Sequence, residues 1–249
     1  MSDEVEVPES HPRYESLLTR HRIEAGVDRG ITSRQGLIAQ GRGEAYDYLL
    51  GERTTDSADR AARAAAAHLL LADHAVISVN GNAAALVPGE LVELADATGA
   101  DLEVNLFNRT EERMRAIADY LREHGATDVR GLEADGRIPG LDHERATVDA
   151  DGIGDADVVL VPLEDGDRAE ALGEMGKTEL VVDLNPLSRS AQVATVPIVD
   201  NIVRAIPNVT DHARDLAGAP DAQREAVDSF DADEALAAAE RAIREGDLG

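Results

Sequence analysis

The sequence predicts a doubly wound α/β fold, in which a mostly parallel, Rossmann-like sheet carries helices on both faces. An N-terminal helical segment and an acidic, helical C-terminal tail flank this sheet. Short apolar runs, which are typical of buried strands, alternate with longer segments of helical composition. Polar residues stand where three strands end, at Asn80, Asn105 and Asp183. Open parallel sheets bind ligands at the carboxyl ends of their strands, so we expect a ligand site there.

The segment before the first strand is predicted to be mainly helical. We expect residues 1–9 to be disordered and a helix to follow over residues 10–28, with Ser10 as its N-cap and Gly30 breaking it. Further along, Arg42 stands between two glycines. This pattern favours either backbone that lies close to a ligand, with the guanidinium pointing at it, or a solvated turn.

Strands and helices alternate through the rest of the chain. Strands are predicted at residues 75–79, 102–106, 129–132, 158–161, 180–182 and 196–199. Pro197 suits the first residue of a strand or an edge strand, because proline cannot donate a ladder hydrogen bond. Asn108 or Thr110 is expected to cap one helix. Helices are predicted at residues 56–72, 88–98, 111–123 and 168–175 and in the tail, residues 209–249. With no internal repeat or separating linker, residues 1–249 are predicted to form a single domain.

The composition indicates a protein adapted to salt. Fifty acidic residues oppose 24 lysines and arginines, the formal net charge is −26, and Lys177 is the only lysine. Such a surface repels itself unless salt screens it. We therefore interpret the chain as a cytoplasmic protein of a halophile that does not bind nucleic acid, since that would need a basic face. Cysteine is absent, which excludes disulfides and thiolate sites. The apolar runs are too short for a membrane span, and the acidic N-terminus is unlike a secretory signal.

The stretch of residues 180–201 carries the most distinctive polar pattern. Two apolar runs, residues 180–182 and 196–199, are each followed by polar residues. Ser188 is a potential helix N-cap between them. Exposed N–H groups at a helix start beside Arg189 suit an anionic group such as a phosphate. The alternative is a capped turn that carries one surface arginine.

Several common site motifs are absent or incomplete. The dinucleotide fingerprint G-x-G-x-x-G does not follow the first strand, where the sequence is NGNA. The tripeptide GKT at residues 176–178 resembles the end of a P-loop, but Ala171 replaces the earlier glycine and a strand follows. The tripeptide DHE at residues 142–144 has no second histidine at helical spacing, so a solvated loop is favoured over a metal site. The nucleophile elbow G-x-S-x-G is also absent.

Seven longer strings carry a family resemblance when they are taken together in order. They are SHPRYESL, GLIAQGRGEAYDYLLGE, VISVNGN, EVNLFNRTEER, RIPGLDHERA, ADVVLVPLEDGDRAEALGEMGKT and DLNPLSRSAQ. The combination closely resembles the archaeal phosphopantothenate synthetases, that is, the 4-phosphopantoate–β-alanine ligases. The resemblance covers residues 10–208, and the tail after them is not included in it.

The resemblance implies a homodimeric α/β enzyme of coenzyme A biosynthesis that uses ATP and Mg²⁺. Such enzymes join 4-phosphopantoate to β-alanine and release AMP and diphosphate. Carried over motif by motif, the nucleotide site consists of Arg20, Arg42, Asp183, Leu184, Asn185, Arg189, Ser190, Asn201 and Ile202. Arg42 and Arg189 would be catalytic by stabilising phosphate charge, and no residue is assigned as a metal ligand. Candidates for the 4-phosphopantoate side, with strand-end capping as the alternative, are Asn80, Asn82 and Arg109.

The implied chemistry fits these residue types. A carboxylate becomes an acyl donor when it attacks the α-phosphate of ATP, and an amine can then open the resulting acyl adenylate. Arginines and helix N-termini would position the phosphates and neutralise charge as diphosphate leaves.

Two positions depart from the family pattern, and two other functions stay open. Gln40 stands where a histidine is usual and Asn108 where a tyrosine is often found, so no proton-transfer role is assigned to residue 40. A nicotinamide-dependent oxidoreductase could use the same fold class, although the missing glycine fingerprint argues against it. A non-catalytic nucleotide-binding regulatory protein would suit the polar strand ends equally well.

Overall fold

Helices surround one parallel sheet in the part of the chain that the computed structural model describes, residues 8, 10, 11, 13–163 and 166–246. The disorder predicted for residues 1–9 lies outside these residues, apart from Pro8. The strands are β1 (Ala75–Val79), β2 (Asp101–Val104), β3 (Gly136–Arg137), β4 (Thr147–Val148), β5 (Val158–Pro162), β6 (Thr178–Asp183) and β7 (Val196–Val199). The helices are α1 (Tyr14–Asp28), α2 (Arg34–Leu50), α3 (Asp56–Leu71), α4 (Gly81–Leu86), α5 (Pro88–Thr98), α6 (Glu111–Glu123), α7 (Gly166–Glu174), α8 (Arg189–Val193), α9 (Ile202–Leu216), α10 (Pro220–Asp228) and α11 (Ala232–Glu245).

The central sheet has five parallel strands in the order β2-β1-β5-β6-β7. This arrangement confirms the predicted doubly wound α/β fold. Because β1 lies between β2 and β5, the winding of the chain reverses between β1 and β5. A doubly wound sheet binds ligands in the crevice at such a reversal, outside the carboxyl ends of the strands. The small strands β3 and β4 form a separate antiparallel pair.

Alternating side chains of the strands build a core on each face of the sheet. Ile77 and Leu160 belong to the larger core, which includes residues of α3, α5, α6 and α9. Val76 and Val159 belong to the second core, with Leu172 of α7 and residues around β3 and β4. Both faces are therefore covered, as a parallel sheet requires.

Several local predictions are confirmed. Ser188 caps α8 by accepting a hydrogen bond from the N–H of Ala191, and Thr110 caps α6 in the same way. Pro197 lies in β7, an edge strand of the sheet. The tail forms α10 and α11. None of the helices in the described ranges combines the length and the apolar character that crossing a bilayer requires.

Other local predictions are wrong. Residues 34–50 form α2, so Arg42 lies inside a helix and not in a solvated turn. The residue preceding α1 is Arg13, and neither it nor Ser10 supplies the predicted side-chain cap. Residues 129–132 form only an isolated bridge, from Arg130 to Glu103 of β2. The short helix α4 follows β1 directly and was not predicted.

Candidate active site

Two cavities lie side by side at the carboxyl edge of the sheet. The first, of about 390 Å³, is lined by Arg42, Ala45, Tyr46, Leu49, Leu163, Asp183, Leu184, Asn185 and Ile243. The second, of about 290 Å³, lies where the winding reverses, and its polar lining includes Thr32, Asn80, Asn82, Asn108, Arg113 and Arg145. Arg42 and Leu163 line both cavities. A ligand in one cavity can therefore meet a ligand in the other at these two residues.

Arg42 projects from α2 at the junction of the cavities. Its side chain is exposed and makes no hydrogen bond or ion pair with the described residues. An arginine without a carboxylate partner is available to bind an anion with its planar set of donors. Leu163, which directly follows β5, is the other residue that lines both cavities. Among the described residues it is the one non-glycine residue with a positive φ, at 57°. Such a conformation is uncommon for leucine.

The glycines of α2 let this helix approach the site closely. A Cβ atom at Gly36 would overlap the side chains of Asn82 and Thr32, and a Cβ at Gly43 would lie 3.1 Å from Nδ2 of Asn201. Gly41, by contrast, has open space around it. Gly36 and Gly43 thus allow α2 to pack closely against Asn82 and Asn201, and Gly41 has no such role.

The loop after β6 is held by its own hydrogen bonds. Oδ2 of Asp183 accepts hydrogen bonds from the hydroxyls of Ser188 (2.6 Å) and Ser190 (3.1 Å), and its Oδ1 accepts one from the N–H of Asn185 (3.1 Å). These bonds fix Asp183, Leu184 and Asn185 along the first cavity. Ser190 is buried, and its hydroxyl helps to hold the carboxylate of Asp183 in place.

Two predicted phosphate-binding arginines are engaged with carboxylates. Arg189 pairs with Asp167 and lies 3.4 Å from Glu170, both on α7. Arg20 pairs with Glu44 of α2, with its Nε 2.9 Å from the carboxylate, and this hydrogen bond lowers the pKa of Glu44. Neither arginine lines the two cavities. A phosphate would have to compete with these carboxylates.

Asn201 and Ile202 line neither cavity. Asn201 caps α9, and its Nδ2 donates to Asp47 of α2 at 2.9 Å. Ile202 is 4 % exposed and belongs to the larger core. Arg204 joins this group through Asp47 (2.6 Å) and Asp200 (2.8 Å). The sequence interpretation missed Asp47 and Arg204. They are distant in sequence and come into contact only because α2 lies against the start of α9.

Of the three residues predicted for the 4-phosphopantoate side, two line the second cavity and one does not. Asn80 caps α4 and donates its Nδ2 to the carbonyl of Pro162 (2.7 Å), which ties the ends of β1 and β5 together. Asn82 donates to the carbonyl of Gly36 (3.0 Å). Both asparagines line the cavity and also serve as caps or ties, so the two interpretations of them are compatible. Arg109 is not part of the lining, because its guanidinium bonds the carbonyl of Gly131 at 2.5 Å.

Arg113 and Arg145 are the cationic residues of the second cavity that the sequence interpretation missed. Arg113 lies four residues after Arg109, and the string EVNLFNRTEER contains both without distinguishing them. Arg145 is 6 % exposed and donates its Nε to Asn105 at 3.3 Å. Asn108, one of the departures from the family pattern, also lines this cavity, whereas Gln40 is buried in α2.

The described residues contain no cluster of three or more histidines or carboxylates that could hold a metal ion. Asp183 is the carboxylate in the lining of the first cavity, and its oxygens are already hydrogen-bonded. Magnesium commonly uses one or two carboxylates together with substrate phosphates. The residues present therefore fit an ion that arrives with a nucleotide, and not an ion held by the protein alone.

Comparison with known proteins identifies the family. Residues 57–246 match the family described as phosphopantothenate/pantothenate synthetase. The chain is 60 % identical over 213 residues to a 4-phosphopantoate–β-alanine ligase of Thermococcus kodakarensis, with 85 % of this chain and 82 % of the relative covered. It is 57 % identical over 211 residues to the ligase of that name from Methanosarcina mazei, with 85 % and 83 % covered.

The family match also corrects the expected extent of the resemblance. It reaches residue 246 and so includes α10 and α11 of the tail, which the sequence interpretation left out. The contribution of Ile243 to the first cavity is consistent with this wider match. The chain belongs to the phosphopantothenate/pantothenate synthetase family.

Proposed function

We propose that this protein is an ATP-dependent ligase of coenzyme A biosynthesis that joins 4-phosphopantoate to β-alanine. Its products would be 4′-phosphopantothenate, AMP and diphosphate. The observation that carries this proposal is the identity of 55–60 % over 84–85 % of the chain with archaeal enzymes of this name. Two adjoining cavities that share Arg42 also suit a reaction between two phosphate-bearing substrates.

We assign ATP to the first cavity and 4-phosphopantoate to the second. The first cavity combines apolar walls from Ala45, Tyr46 and Leu49 with polar groups of Asp183 and Asn185, which suits a purine nucleoside. The second is polar and contains two arginines besides the shared Arg42, which suits a small anionic acid. In this assignment the α-phosphate of ATP meets the carboxylate of the acid beside Arg42.

The proposed reaction has two steps. A carboxylate oxygen of 4-phosphopantoate attacks the α-phosphorus, the bond to diphosphate breaks, and an acyl adenylate forms. The nitrogen of β-alanine then attacks the acyl carbon, AMP leaves, and the amine gives up a proton. Arg42 would hold both reactants in line and neutralise charge on the phosphates, which lowers the barrier by positioning and electrostatic stabilisation.

Arg189, Arg20 and Ser190 support the nucleotide from outside the cavity lining in this scheme. Arg189 and Arg20 would exchange part of their bonding with Asp167 and Glu44 for phosphate oxygens. Asn201 and Ile202 begin α9, where backbone N–H groups favour negative charge. Mg²⁺, bound through the nucleotide phosphates, would supply further neutralisation of charge, with Asp183 as the nearest candidate carboxylate on the protein.

We also propose that the protein is a cytoplasmic homodimer, as the family resemblance implies. Leu37, Ile38 and Tyr48 expose 40–76 % of their surface along α2, and pairing of two copies would remove such apolar area from water. Light scattering in concentrated KCl should then give twice the chain mass of 26.5 kDa. A mass of one chain would exclude the dimer and leave the ligase proposal open.

Product analysis tests the activity directly. The purified protein is incubated with ATP, Mg²⁺, 4-phosphopantoate and β-alanine, and the products are separated by chromatography. We expect 4′-phosphopantothenate and AMP in equal amounts, and neither product when β-alanine is replaced by α-alanine. Absence of 4′-phosphopantothenate under every salt condition in which the protein is folded would contradict the proposal.

A further inference from the structure

Arg113 is a partly buried cation in the wall of the second cavity. It lies in the first turn of α6, where its Nη1 donates to the carbonyl of Asn108 (2.8 Å) and its Nη2 approaches the carbonyl of Ile31 (3.4 Å). Its Nε is buried and has no hydrogen-bond partner among the described residues. Two backbone carbonyls therefore orient the guanidinium, but they leave its charge without a counter-ion and its buried Nε–H without a partner.

This guanidinium has no carboxylate partner within the described chain. The protein contains 50 acidic residues, yet no ion pair to Arg113 is formed. Two residues further along the same helix, the exposed Arg115 does pair with Glu111 at 3.4 Å. Burial lowers the pKa of Arg113, but arginine keeps its charge at neutral pH. Burying even part of a charge without a counter-ion costs free energy, and an anionic ligand would supply that counter-ion.

The surroundings of Arg113 suit a phosphate group. Gly81 packs directly against it, since a Cβ atom at that residue would lie 3.1 Å from Nη2 of Arg113. The cavity beside it carries Thr32, Asn82 and Arg145 in its lining. Arginine donates two parallel hydrogen bonds to phosphate oxygens, and such charge-assisted bonds are the stronger ones.

We propose that Arg113 binds the phosphate of 4-phosphopantoate and thereby selects the phosphorylated acid over pantoate. This inference depends on the proposed function. Arg42 lines both cavities, so the reacting carboxylate lies at their junction, whereas Arg113 lines the second cavity alone. The substrate has a carboxylate and a phosphate, and the group left for Arg113 is the phosphate.

The binding of both acids to Arg113→Gln tests this assignment without requiring turnover. Dissociation constants for 4-phosphopantoate and for pantoate are measured by calorimetry on the full chain. We expect wild type to prefer 4-phosphopantoate. The variant should bind it about ten- to a hundredfold more weakly, because one charge-assisted contact is lost. Pantoate affinity should stay unchanged. Arg115→Gln, which removes an exposed arginine from the same helix, should bind both acids as wild type does.

The outcomes separate a phosphate contact from a structural role. Equal losses for both acids, or an unchanged ratio of their dissociation constants, would overturn the assignment. If Arg113→Gln unfolds, Arg113→Lys, which keeps the charge without the planar pair of donors, should still show a reduced preference for 4-phosphopantoate. A failure of the proposed function would be visible separately, as wild type that binds 4-phosphopantoate but forms no 4′-phosphopantothenate.

Discussion

At the scale of single residues, Arg42 is the side chain on which the proposed site depends. It is the unpaired cation at the junction of the two cavities, whereas Arg20 and Arg189 are held by carboxylates. This difference could not be predicted from the sequence, because whether an arginine pairs with a carboxylate depends on how distant segments pack. An arginine that the fold leaves without a partner is the stronger candidate for binding a substrate.

Replacing Arg42 by lysine should weaken the use of ATP although the charge is kept. Lysine lacks the planar pair of donors, and losing one charge-assisted hydrogen bond costs roughly 1.5–3 kcal/mol, or about a ten- to hundredfold loss in kcat/KM. Steady-state kinetics would measure this loss. Arg34→Lys provides the control, since Arg34 is exposed on the same helix and lines neither cavity. Wild-type kinetics in a folded Arg42→Lys variant would mean that Arg42 makes no contact with the substrates that its planar donors are needed for.

How far the site could be predicted varies from residue to residue. Asp183, Asn185 and Ser188 were found because their hydrogen bonds lie within one short segment, and local sequence encodes such bonds. Arg113 and Ile243 were missed, because their places depend on how α6 and α11 pack against distant parts of the chain.

At the scale of elements, α2 connects the two cavities to the rest of the fold. Its buried Asp47 bonds Asn201 and Arg204 at the start of α9, and Tyr46 donates its hydroxyl to the carbonyl of Val199 at the end of β7 (2.8 Å). Burial raises the pKa of Tyr46, so the hydroxyl stays a donor. The sequence did not predict this helix, because its three glycines have low helix propensity and packing overrides that preference.

Two glycines of α2 give a matched pair of substitutions. Gly41→Ala should stabilise the protein by about 0.5–1 kcal/mol, because alanine favours the helix and the space around residue 41 is open. Gly36→Ala should instead destabilise it by about 1–3 kcal/mol, because the added methyl group overlaps Asn82 and Thr32. Chemical denaturation and ligase assays would measure both. Equal effects of the two substitutions would contradict the packing of α2 against the second cavity.

At the scale of the whole molecule, the net charge of −26 should dominate the response to salt. The mostly parallel α/β class and the alternation of helices and strands were predicted from the sequence, because the apolar patterns of strands and helices are local and do not depend on surface charge. The strand order was not predicted. Surface charge affects solubility and self-repulsion, and it does not specify the fold.

The melting temperature should rise when KCl increases from millimolar to molar concentration. Salt shortens the Debye length from about 10 Å at 0.1 M to about 3 Å at 1 M, so the repulsion among acidic residues weakens. Calorimetry in KCl would measure the shift, and sucrose would serve as the uncharged control, because it stabilises by exclusion without screening. A melting temperature that does not change with KCl would contradict the interpretation that the protein is adapted to salt.

The exchange of labelled diphosphate into ATP isolates the first step of the proposed reaction, the formation of the acyl adenylate. The protein is incubated with ATP, Mg²⁺, labelled diphosphate and 4-phosphopantoate, and β-alanine is left out. A reversible adenylation step predicts that label enters ATP, and that this requires 4-phosphopantoate. If the complete reaction instead forms ADP and phosphate, and no label enters ATP without β-alanine, then ATP is cleaved at the γ-phosphate and the adenylate mechanism is wrong.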